Sequence, residues 1–102
     1  MLDALEDWFR ANTAQLKDRG LQVTLTRPSQ PSDNNGIYAD LGTSQYVARV
    51  TVWQSGHCDR EALHISTGDT VFWDHCLLRT PADLHQLLDE FCTRLTDPAT
   101  QP

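Results

Sequence analysis

The chain has 102 residues, 39% of them hydrophobic, which is enough for one core and too little for a second independently folded unit. Its 14 acidic residues outweigh 8 basic ones, for a net charge of −6 and a pI near 4.9, so nucleic acid and anionic lipid are repelled and a cationic partner is the better match. No apolar run reaches the roughly 18 residues of a membrane span, and the acidic start Met1–Asp7 lacks the basic stretch of a signal peptide, so the expected compartment is the cytoplasm.

Leu2, Leu5, Trp8, Phe9 and Leu16 recur at spacings near three and four, with acids early and Lys17 and Arg19 late. The pattern predicts an amphipathic helix over residues 2 to 19, stopped by Gly20, with Trp8 in the core. The period then changes to two. Leu21, Val23 and Leu25 alternate with polar residues in a half-buried strand that ends at the polar stretch Pro28–Gly36, which is expected to be mobile. A short strand over Ile37–Leu41 follows. Gln45–Trp53 is the clearest strand, with Tyr46, Ala48, Val50 and Val52 facing the helices and Val47, Arg49, Thr51 and Trp53 on the other side.

After a turn at Ser55-Gly56-His57, a strand is expected over Asp59–Thr67. Its Leu63 and Ile65 should point inward, and its Arg60, Ala62 and His64 outward. Gly68-Asp69 then reads as a tight hairpin turn. Thr70–Leu78 is apolar on both faces, so periodicity leaves its buried face open, although Trp73 leans towards the core. Thr80-Pro81-Ala82-Asp83 is a helix N-cap signature, and Leu84, Leu87, Leu88, Phe91 and Leu95 form one stripe up to Asp97. The whole predicts an α+β fold: an antiparallel meander of about five strands with both helices on one face. Residues 1–97 would be a single domain and 98–102 a flexible tail. The open sheet face would carry Arg49, Thr51, Trp53, Arg60 and His64, a mixture suited to a protein interface.

Catalytic signatures are absent: there is no GxGxxG, Walker loop, GxSxG elbow or HExxH. Cys58, Cys76 and Cys92 are odd in number and without CxxC spacing, which reads as reduced thiols, and Cys92 as a small buried hydrophobe. His57-Cys58, His64 and His75-Cys76 could supply soft metal ligands. Neighbours in a strand point to opposite faces, however, and the spacing argues against zinc, so neither metal nor cofactor is expected. Glu61 and His64 likewise fall on opposite faces of a regular strand, which removes the best acid–base pair. Trp53 fits a binding anchor or a core residue equally well. Seven of the eight cations are Arg, which favours fixed, planar pairing at a specific interface.

The run Ala48-Arg49-Val50-Thr51-Val52-Trp53-Gln54-Ser55-Gly56-His57-Cys58-Asp59, with Ile65-Ser66-Thr67-Gly68-Asp69, the early Asp7-Trp8-Phe9 and the Leu-rich last helix, resembles small bacterial immunity proteins of the TriTu type. That family overlaps the immunity proteins of contact-dependent growth inhibition. The resemblance implies a protein with no catalytic function and no small-molecule substrate. Such a protein binds a basic cognate toxin domain, often a nuclease acting on transfer RNA, as a 1:1 complex that blocks the toxin's active site. Arg49, Trp53, Asp59, Glu61 and His64 are the residues expected to touch the toxin. An acidic chaperone or adaptor for a secreted effector is the alternative, and a small metal-dependent enzyme ranks behind it.

Overall fold

The computed structural model describes residues 2–27 and 36–96. In chain order the elements are α1 (Leu2–Asp18), β1 (Gln22–Thr26), β2 (Gly36–Gly42), β3 (Tyr46–Trp53), β4 (His57–His64), β5 (Thr70–Leu77) and α2 (Pro81–Thr96). Every strand pairs antiparallel with the next, in the order β1-β2-β3-β4-β5, so the expected meander with two flanking helices is the observed α+β fold. The stretch 28–35 and the tail 98–102, both expected to be mobile, lie outside the described residues. Gly36, which was assigned to that loop, instead opens β2.

Both helices form as their patterns dictate. In α1, Leu5, Trp8, Phe9 and Leu16 are buried, and the helix closes at Gly20, whose φ of 89° lets the Leu21 N–H reach back to the Leu16 carbonyl at 2.9 Å. In α2 a reciprocal cap forms, with the Asp83 N–H donating to Thr80 Oγ1 at 3.1 Å and the Thr80 N–H to Asp83 Oδ2 at 3.2 Å. The two helices meet where Trp8 Nε1 donates to Asp89 Oδ1 at 3.3 Å. Their apolar stripes cover Ile37, Ala39, Leu41, Tyr46, Ala48, Val50 and Val52, the inner face of β2 and β3, as the alternation in β3 predicts.

Strand β4 departs from expectation. It spans His57–His64, not 59–67, and its connection to β5 is five residues, 65–69. The Gly68 N–H donates to the His64 carbonyl there, and the His64 N–H to that of Asp69. Its faces are inverted as well: Cys58, Arg60 and Ala62 are buried under the helices, Leu63 lies on the open face, and Ile65 is 51% exposed beyond the strand. The cause is the partner strand. Arg60 pairs in register with Asp74, which neutralises it, and its guanidinium sits 4.9 Å from the Phe72 ring centroid and 5.5 Å from that of Phe91. The face left open in β5 is therefore settled: Phe72, Asp74 and Cys76 face the helices, while Val71, Trp73, His75 and Leu77 are exposed.

Candidate protein-binding face

Antiparallel register places directly opposed residues on the same face, so the uncovered side of the sheet can be read row by row. One row runs Thr24, Asp40, Arg49, Glu61, Trp73, and the next runs Thr26, Tyr38, Thr51, Asp59, His75. Val47 and Leu63 pair on one flank of these rows, and His57 and Leu77 on the other. Residues Asp40, Val47, Arg49, Thr51, Asp59, Glu61, Leu63 and Trp73 enclose an open groove of about 380 Å³. Neither helix covers this side.

Four of the five expected contact residues share this face. Arg49 grips Asp40 through two bonds, Nε to Oδ1 at 2.8 Å and Nη2 to Oδ2 at 3.3 Å, and its Cζ lies 4.1 Å from the Tyr38 ring centroid. The Asp40 hydrogen bond raises the Arg49 pKa above its ordinary value, which keeps the charge fixed. Trp53 ends β3, half-buried, with its indole beside Gly36, where a Cβ would approach it to 3.1 Å. Asp59 is hydrogen-bonded to His75 Nδ1, and the other nitrogen of that ring lies 3.2 Å from His57 Nδ1. Glu61 stands exposed beside Arg49, with no ion pair among the described residues.

His64 and Arg60 are corrections. Both were expected on the open face, but they share the helix-facing parity of β4. The His64 ring packs edge-on against buried Tyr46 at 5.5 Å, with Nδ1 2.8 Å from the Ser66 hydroxyl. Trp73 is the opposite case. Expected in the core, it is 62% exposed and directly across from Glu61, and Val47, Val71 and Leu77 add further uncovered apolar surface at 47 to 51%. The signal that would have found Trp73 is hairpin symmetry: Arg60 and Asp74 each stand seven residues from Thr67, so pairing those opposite charges forces Trp73 outward.

Burial pushes the Cys58 thiol up to about 12 and the Cys92 thiol to about 11, so neither is a nucleophile near neutral pH. Among the described residues no group of three or more His, Cys, Asp or Glu side chains is placed to hold a metal ion. No helix is long and apolar enough to cross a membrane. The sheet thus offers a surface for recognition: aromatic and aliphatic groups interleaved with fixed charge.

Comparison with known proteins agrees with that character. No curated protein matches the chain. The model of one protein family, described as immunity protein TriTu, matches residues 3–94, a span running from the first turn of α1 almost to the end of α2. On that match, the chain belongs to the TriTu family of immunity proteins.

Proposed function

We infer that this immunity protein neutralises a cognate toxin domain of a contact-dependent growth inhibition system in the cytoplasm. It acts as one domain over residues 1–97, forms a 1:1 complex and occludes the toxin's active site without catalysing a reaction. The observation that carries the reading is the uncovered sheet face, where Arg49, Trp53, Asp59 and Glu61 stand with Trp73 among exposed aliphatic groups. The charge balance supports a basic partner. An enzyme acting on a phosphate-bearing substrate needs a cationic surface, and an acidic protein can occupy it in place of the substrate. A ribonuclease is the toxin class to assay first on this argument.

The test is co-expression with the toxin domain encoded beside this gene, followed by purification of the pair and titration of the toxin's activity. Growth rescue and complete inhibition at one equivalent are expected. Inhibition by a complex in which the toxin still binds its substrate would overturn occlusion. Absence of both binding and rescue would overturn the pairing itself.

A further inference from the structure

We propose that the groove on the open sheet face is a receptor for one cationic side chain, Arg or Lys, presented by the partner toxin; this deepens the immunity reading above and rests on it. Glu61 lines the groove from β4, exposed and without an ion pair among the described residues. Arg49, its cross-strand neighbour, feels the Glu61 charge but directs its hydrogen bonds to Asp40 and its guanidinium to the Tyr38 ring. Asp40 thereby keeps the Glu61 carboxylate available.

The walls suit the stem and head of a long basic side chain. Trp73 lies directly opposite Glu61 in the β4–β5 register and offers an indole for cation–π contact. Val47 and Leu63 pair across β3 and β4 at one end, where they can cover methylene groups. Asp59, hydrogen-bonded to His75, lines the same groove, so three carboxylates and one guanidinium line it, an arrangement that favours a cation over an anion. An aromatic anchor beside an unpaired charge, ringed by aliphatic groups, has the make-up of a binding hot spot.

The experiment is calorimetric titration of the immunity protein with the toxin domain encoded beside its gene, at two salt concentrations. Glu61→Gln and Trp73→Ala are each expected to weaken Kd by about tenfold or more, and Glu61→Gln also to flatten the salt dependence. Gln86→Ala, on the exposed side of α2, should leave Kd unchanged. Because both groove side chains are exposed, the variants should melt with the wild type, which separates binding from folding. If the wild type binds and both groove variants bind as tightly, the groove proposal falls while the immunity reading stands. If the wild type does not bind, both fall together.

Discussion

The guanidinium of Arg60 on β4 is held beneath α2 by the Asp74 carboxylate of β5, with Nε to Oδ1 at 3.0 Å and Nη2 to Oδ2 at 2.5 Å. Arg60 is only 7% exposed. Burial works against its charge, but the hydrogen bond and charge of Asp74 overcome that, leaving its pKa above the ordinary value. Removing one partner strands the other, so Asp74→Ala should cost about 3 kcal/mol, the low end for a buried pair because Asp74 is a third exposed. Replacing both with apolar residues of similar volume, Arg60→Met with Asp74→Leu, should recover most of that loss. Urea unfolding of the two variants checks the prediction; equal stability of the single and double variants would contradict it.

That pair also explains where sequence reading succeeded and where it failed. The helices and β3 were legible because their apolar stripes, caps and alternation all agree, and one buried face dominates each. In β4 the helix-facing set is Cys58, Arg60 and Ala62: one charge and two small residues, against Leu63 on the open side. Hydrophobicity assigned along a single strand points the wrong way there, because the charge is neutralised by a residue fourteen positions later. The same inversion hid Trp73. Arg49 stands on the open side as expected, since the parity of β3 is clear. Asp59 and Glu61 share the parity of Leu63 and Ile65, which hydrophobicity alone points inward, and reach the open side only through the inversion of β4. His64 was misplaced by one face for the same reason as Arg60.

Gly56 and Gly68 both take the left-handed conformation, at φ 96° and 74°, yet they should tolerate a side chain very differently. A Cβ on Gly56 would stand 2.5 Å from the Leu78 carbonyl oxygen, while Gly68 has nothing within 4 Å. The Leu78 N–H also donates to the Gly56 carbonyl at 2.8 Å, so this turn ties β4 to the chain entering α2. Gly68→Ala should cost about 1 kcal/mol for the backbone alone, and Gly56→Ala about 3 kcal/mol as the clash is added. Thermal melts of the two variants side by side measure the difference. Equal shifts in Tm would show that the Leu78 contact is relieved without strain.

The cap of α2 yields a smaller effect. Thr80 Oγ1 accepts the Asp83 N–H while Asp83 Oδ2 accepts from both Thr80 and Arg79, so two side chains satisfy three backbone donors. Thr80→Ala should destabilise the fold by about 1 kcal/mol, and Thr80→Ser by only a few tenths. Asp83→Asn keeps an acceptor but loses the favourable charge at the helix N-terminus, and should fall between them. Denaturant midpoints for the three variants give the order directly.

The thiols make a prediction with a definite sign in pH. Burial raises Cys58 to about 12 and Cys92 to about 11 from an ordinary 9, and burial together with the Asp74 charge raises half-buried Cys76. At pH 8 the thiolate fraction of Cys92 is therefore about a hundredfold below that of an unfolded chain, and its burial adds steric protection. Iodoacetamide should add one group to the native protein, at Cys76, and three in urea. A raised folded pKa favours the folded state below pH 9, where both states hold the proton. That contribution is lost as pH rises from 9 towards 11, because only the unfolded thiol ionises. Cys92→Ala lowers stability at every pH through the cavity it leaves, yet its stability should decline less steeply than the wild type's between pH 9 and 11. Parallel slopes for the two proteins would mean that Cys92 ionises as readily in the fold as out of it.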